Sequence, residues 1–196
     1  MATIISTKTS GVGGLSVTGD GSGVLQLASA DGTTAVTIDA SQNVTFAKAI
    51  NKAALPTGSV LQVVNATYST GVSTTSTSYT ATGLTATITP LFSTSKILVL
   101  VTQAGLFRTG TAPSQSIMLR VYRDSTNLLQ YSYQMYAGTY AFQFKYSSLS
   151  SNYLDAPATI SSVTYSTQFA TLTAGQTVGV QQDADVSTIT LMEIAA

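Results

Sequence analysis

From residue 59 onwards, apolar and polar positions alternate with a period of two, which predicts strands and not helices. Val60–Val64 is the first such run and Ser76–Ala81 the second. Leu84, Ala86 and Ile88 then share one face and stop at Pro90. Lys96–Phe107 begins as a continuous apolar run, which suits a strand buried at the centre of a sheet. Ile117, Leu119 and Val121 alternate with Met118, Arg120 and Tyr122. Leu128–Tyr136 and Tyr140–Tyr146 flank Ala137-Gly138-Thr139, and the three pieces predict a hairpin. Ile160–Phe169 is a further strand, Ala174-Gly175 turns the chain into Thr177–Gln181, and Ile189 and Leu191 mark the last strand. This makes about nine or ten strands with turn signals between them, the pattern of a sandwich or barrel. A jelly roll fits the count best. No helical crossover pattern separates the strands, so the sheets are expected to be antiparallel.

Residues 1–50 read differently. Short apolar alternations, Leu15-Ser16-Val17, Val24–Leu27, Ala35–Ile38 and Val44-Thr45-Phe46, are separated by Gly19–Gly23, by Asp31-Gly32 and by a turn at Asp39–Asn43. Asp-Gly between alternating runs is a hairpin signal. Asp20, Asp31 and Asp39 sit beside Gly or small residues and read as turn formers. A sheet of three- to five-residue strands is marginal by itself in water, so this segment is expected to need faces supplied by other chains. Residues 51–58, punctuated by Pro56 and Gly58, read as a linker to the domain at 59–196.

Composition sharpens the picture. Only 8% of residues are charged, against about 25% in an ordinary domain. Hydroxyls replace charge as the hydrating groups: there are 25 Ser and 33 Thr. Thr also favours strands through its branched Cβ. Glu193 is the only Glu, which argues against surface helices. The formal net charge is zero and no basic run exists, so nucleic acid is not an expected partner. The charge is also uneven: residues 53–95 carry none. Edge strands normally use charge to block association, so an uncharged strand-rich surface predicts packing against other subunits.

The same inventory bounds the chemistry. There is no His and no Cys, which removes a Ser-His-Asp triad, a thiol nucleophile and His- or Cys-based metal sites. No catalytic, metal or cofactor site is expected, and no enzymatic activity. The longest apolar clusters, such as Ile97–Val101, span five residues, far short of the roughly 20 that cross a bilayer. Membrane insertion is therefore not expected. The opening Met-Ala-Thr-Ile-Ile-Ser-Thr-Lys lacks the basic and apolar regions of a signal peptide, so synthesis in a cytoplasm without standard export is expected. This disfavours a free secreted carbohydrate-binding module.

Several segments resemble virion proteins of tailed bacteriophages. Gly-Leu-Ser-Val-Thr-Gly-Asp (14–20), Gly-Val-Leu-Gln-Leu (23–27) and Thr-Ile-Asp-Ala-Ser-Gln-Asn-Val (37–44) are similar to their N-terminal repeats. Leu55–Val64, Thr74–Tyr79, Gly83–Pro90, Ser93–Val99, Tyr153–Pro157, Val163–Tyr165, Leu172–Gln176 and Thr188–Ala195 are similar to their distal domains. The resemblance leaves out roughly 105–150. It implies a homotrimeric virion appendage made in the host cytoplasm. Residues 1–50 would form a β-rich shaft or anchor that meets other virion proteins. The C-terminal jelly roll would be a knob similar to tumour-necrosis-factor or C1q domains. It leaves two roles open, a tail fibre or fibre-like protein exposing the knob to the host surface, and a capsid decoration, cement or head-fibre protein anchored to the shell.

Three clusters are candidates for ligand contact. Tyr131, Tyr133, Tyr136, Tyr140, Phe142, Phe144 and Tyr146 fall close together. Aromatic faces stack on sugar rings, and Tyr adds a hydroxyl; a host-surface glycan is one reading, with loop-borne Tyr136 and Tyr140 in contact, and the filling of a core or trimer interface is the other. Arg108, Arg120 and Arg123 are the only arginines. They would face an anionic glycan or another virion protein, or else pair with Asp124 and Asp155. Asp183 and Asp185 offer paired carboxylates for Ca²⁺ or glycoside hydrolysis, but the lone Asp-x-Asp reads better as solvated loop acids.

Overall fold

The computed structural model describes residues 24–28, 32–48, 52, 55–109, 114–136 and 144–196, with backbone alone at 114–116, 132–136 and 144–146. The chain divides into two compact units, residues 1–53 and 54–196. The described residues are nearly all β, and every sheet pairing among them is antiparallel.

The first unit holds a three-stranded sheet, β1 (Leu25–Ala28), β2 (Thr34–Ile38) and β3 (Val44–Phe46), in that order. The β2–β3 turn is built by Asp39. Its carboxylate accepts the Ser41 and Asn43 backbone N–H groups and the Asn43 side-chain amide, each at 2.9 Å. These bonds, the Asn43 side chain first, hold the Asp39 carboxyl below its ordinary pKa. Asp39 is thus the turn former its sequence context indicates; Asp20 and Asp31 lie outside the described residues.

The second unit is a sandwich. Its strands are β4 (Val60–Tyr68), β5 (Val72–Thr74), β6 (Thr80–Ile88), β7 (Lys96–Thr109), β8 (Ser114–Arg123), β9 (Thr126–Tyr136), β10 (Phe144–Asp155), β11 (Val163–Thr171), β12 (Thr177–Val180) and β13 (Ser187–Ile194). One sheet runs β4-β13-β7-β10, with β12 and β5 continuing beyond β13 on the same edge of β7. The other runs β6-β11-β8-β9. First strand pairs with last, β6 with β11, β7 with β10, and β8 with β9. This nested pairing is a jelly roll. The uncharged stretch 53–95 supplies one edge of each sheet, β4 and β6.

Alternation aims one face of each strand inward. Ile97, Val99 and Val101 of β7, Ile189 and Leu191 of β13, and Leu84, Ala86 and Ile88 of β6 form one buried cluster. Leu106, Ile117, Leu119, Phe169, Val178 and Val180 form a second. Between β7 and its neighbours runs a buried polar seam. Gln103 donates to Ser187 Oγ at 2.8 Å and accepts from Thr167 at 3.1 Å, and Thr167 is hydrogen-bonded to Thr82. All four are at most 1% exposed. Ser187 Oγ also accepts the Ala104 N–H at 2.9 Å. At the same level Gly105 sits at φ +59°, and a Cβ there would collide with the Gln182 backbone nitrogen. Glycine lets the turn between β12 and β13 close onto β7.

Two sequence expectations change. Residues 128–146 do not make a hairpin: β9 pairs with β8, while β10 pairs with β7 in the opposite sheet. The hairpin is β8–β9, turned at Asp124, whose φ of 50° a short polar side chain tolerates. Ser76–Ala81 and Leu84–Ile88 are not two strands either. β6 runs through both from Thr80, bulging where Gly83 takes φ +88° beneath the Tyr68 ring.

Candidate interaction surfaces

The three arginines do not form one surface, because strand alternation and a change of sheet separate them. Arg108 is on β7, in the first sheet, and is 1% exposed; burial lowers its pKa. Arg120 and Arg123 are on β8, in the second sheet. Arg120 lies on the outer face, between the inward Leu119 and Val121. Arg123 closes one end of the core. Its Nη1 reaches Asp155 Oδ2 at 2.7 Å, and the Tyr165 hydroxyl donates to the same oxygen at 2.7 Å. The trio joins β8, β10 and β11 and therefore ties the two sheets together. Burial first, and the bond to Asp155 second, push the Tyr165 hydroxyl far above its ordinary pKa.

Arg120 is held on the outside in a fixed orientation. Its Nε and Nη2 donate to Gln130 Oε1, directly across on β9, at 3.0 and 2.9 Å. Its Nη1 donates to the Tyr122 hydroxyl at 3.4 Å. Its guanidinium carbon stacks 3.7 Å from the centre of the Tyr79 ring. The Tyr122 bond raises the Arg120 pKa further. Burial raises the Tyr79 hydroxyl, against the lowering effect of Arg120. The guanidinium has five N–H donors and three are engaged. A partly exposed cation, immobilised between two tyrosines, is suited to an anionic or sugar-like ligand.

The aromatic cluster is only partly described. Tyr131 points between the two core clusters and packs on both. Burial raises its hydroxyl pKa well above 10. It fills core, as one of the two readings of the cluster has it. Tyr136 ends β9 opposite Ser114; its side chain and all of Tyr140 lie outside the described residues, as do the side chains of Tyr133, Phe142, Phe144 and Tyr146. Asp183 and Asp185 flank Ala184 on the turn between β12 and β13, with Asp183 exposed. Among the described residues no group of three or more His, Cys, Asp or Glu gathers.

The largest feature that sequence reasoning missed is the outer face of the β4-β13-β7-β10 sheet. Register places Val63, Met192, Leu98 and Leu154 in one row across the four strands. All four face outward, Val63 at 55% and Leu154 at 51% exposure. The next row is Asn65, Thr190, Leu100 and Asn152, and the next Thr67, Thr188, Thr102 and Ser150. A shallow groove of about 390 Å³ runs over these hydroxyls and Leu100. None of these twelve residues carries a charge. The signal was present in the alternation of Leu98 and Leu100 with buried neighbours, but strand order alone puts Val63 and Leu154 in line with them.

No family model matches the chain, and no curated protein matches it. Among solved structures it is similar to one described as the structure of infectious bursal disease virus Gx strain, with a TM-score of 0.35 and 12% identity. That match covers 70% of this chain and 39% of the other, so the chain spans about two fifths of that protein's length.

Proposed function

We propose that the chain is a non-enzymatic structural protein of a tailed-phage virion, a self-associating fibre-like appendage whose jelly roll is displayed towards the host surface. The observation that carries self-association is the apolar row of Val63, Met192, Leu98 and Leu154 and the two uncharged polar rows beside it on the outer face of the β4-β13-β7-β10 sheet, with Lys96 marking the edge of the patch at the start of β7. A contiguous apolar row flanked by uncharged polar rows is a surface suited to contact with another subunit, and a second copy offers matching chemistry. Three-fold symmetry comes from the resemblance to phage appendage proteins alone. The Arg120, Tyr79 and Tyr122 cluster lies on the opposite sheet and stays open for a host glycan when copies meet through the first.

A second reading is a capsid decoration protein held on the shell through residues 1–50. It is favoured by the half-exposed Leu27, Val44 and Phe46 of the first unit, which offer an apolar anchor. Antibody-gold labelling of intact particles separates the two. Label at the tail or at one vertex supports the fibre; dense label over the head supports decoration; no label on purified particles rejects a virion role.

A further inference from the structure

The three-stranded sheet of the first unit is two-faced. Register sets Leu25 opposite Ile38 and Ile38 opposite Val44, and Leu27 opposite Val36 and Val36 opposite Phe46. Directly paired residues project to the same side, and so do residues two apart. All six apolar side chains therefore share one face, while Gln26, Thr37 and Thr45 share the other. Four of the six are exposed, Leu25 at 42%, Leu27 at 49%, Val44 at 53% and Phe46 at 52%, and Val36 and Ile38 at the centre are half-buried. The polar face needs no partner.

We infer that this apolar face is closed by the same face of a second copy of this chain. The inference rests on the self-association proposed above. Its occupant must be apolar and uncharged, because the six side chains offer neither a hydrogen bond nor a charge to a polar partner. The identical face of another copy meets that requirement. Packing sheets face to face about 10 Å apart is the ordinary way to bury such surfaces, and bringing the same face of each copy together, two in a dimer or three around a three-fold axis, turns an isolated sheet of marginal stability into part of a shared core. The area argues for the same occupant. Three short strands at about 4.8 Å spacing and about 3.3 Å per residue present a patch far below the roughly 800 Å² per partner of a free-standing complex. So small a face holds only where something else has already gathered the partners. Copies joined through their second units supply that, since linkage makes the further contact intramolecular.

The chain has no Cys, so single cysteines report on one position each. In the full-length protein, Leu27→Cys and Val44→Cys place a thiol on the apolar face, and Thr37→Cys and Thr45→Cys place one on the polar face of the same sheet. The expected result is several-fold more disulfide-linked pairs under mild oxidation at positions 27 and 44 than at 37 and 45. Slower maleimide labelling before oxidation is expected at 27 and 44. Using two pairs guards against one variant that fails to fold. Equal linking and equal labelling on both faces overturn the inference. Light scattering on the same samples keeps the two claims apart. An oligomer without face-specific linking rejects this inference and leaves self-association standing, whereas a monomer rejects both. Protection at 27 and 44 that appears only on intact particles, without linked pairs, assigns the face to a shell protein and also overturns it.

Discussion

Tyr165 donates its hydroxyl to Asp155 at 2.7 Å, on the same carboxylate oxygen that Arg123 reaches from the neighbouring strand. One acid thus holds two donors and both sheets. Asp155→Ala strands the Tyr165 hydroxyl, in a side chain that is 0% exposed, and removes the partner of Arg123. The expected loss is about 3 kcal/mol, measured as a lower urea midpoint with an unchanged slope. Asp155→Asn keeps an acceptor and is expected to lose less.

Alkaline pH should weaken the fold. Tyr131 and Tyr165 both have hydroxyl pKa values raised by burial above the ordinary 10.0. Below pH 10 both states are protonated and the folded state keeps its full stability. Above pH 10 the unfolded chain releases these protons while the folded chain holds them, so stability falls as pH rises. The slope is up to about 1.4 kcal/mol per pH unit for each tyrosine. Tyr131→Phe should reduce that slope. It should also stay within about 1 kcal/mol of the parent at pH 7, because the Tyr131 hydroxyl has no hydrogen-bond partner among the described residues. Tyr165→Phe should flatten the slope as well, but at a cost at neutral pH. Urea unfolding from pH 7 to 11 checks both.

Gln103 crosses the core and serves Ser187 on one side and Thr167 on the other. Gln103→Leu removes one hydrogen bond from each hydroxyl, although Ser187 keeps the Ala104 N–H and the Gln181 side-chain amide and Thr167 keeps Thr82, at an expected cost of about 1–3 kcal/mol. Adding Thr167→Val should cost less than it does in the parent, because the Gln103 bond to Thr167 is already gone. Strict additivity in thermal or urea unfolding would show that the seam is not a connected network.

Much of this fold is legible in the sequence because inward residues are apolar and alternate. β7 announces itself, as do β6 and β8. β10 does not. Its inward residues include Ser147 and Ser151, and its outward ones Ser148, Ser150 and Asn152, so hydroxyls blur both faces. With that strand unseen, the neighbouring aromatics suggested a hairpin that the sheet crossover forbids. The site was less legible for the same reason. Arg108, Arg120 and Arg123 are close in sequence, but an odd spacing flips a side chain to the other face, and a sheet change carries it further. Glu193 illustrates the limit. As the lone Glu it argued against helices, yet its place was invisible. It is 0% exposed, accepts the Leu91 N–H at 2.8 Å, and is hydrogen-bonded to Gln62, pinning the loop before β7.

If the outer face of the second sheet meets host glycans, Arg120 is the residue to remove. Arg120→Ala should leave the protein folded, since surface ion and cation–π contacts contribute little to stability, while abolishing signal from acidic glycans on an array. Tyr122→Phe should weaken that signal less. An array signal that survives Arg120→Ala in folded protein assigns recognition elsewhere.

Self-association through the β4-β13-β7-β10 face is the centre of this account, and light scattering of the purified chain at micromolar concentration tests it most directly. The account predicts a stable multiple of the 20.2 kDa chain mass, three-fold if the phage resemblance holds. It also predicts that Leu98→Asp combined with Leu154→Asp gives a smaller species that keeps its β circular dichroism. A folded parent chain that scatters as a monomer, or an oligomer indifferent to both substitutions, would contradict it.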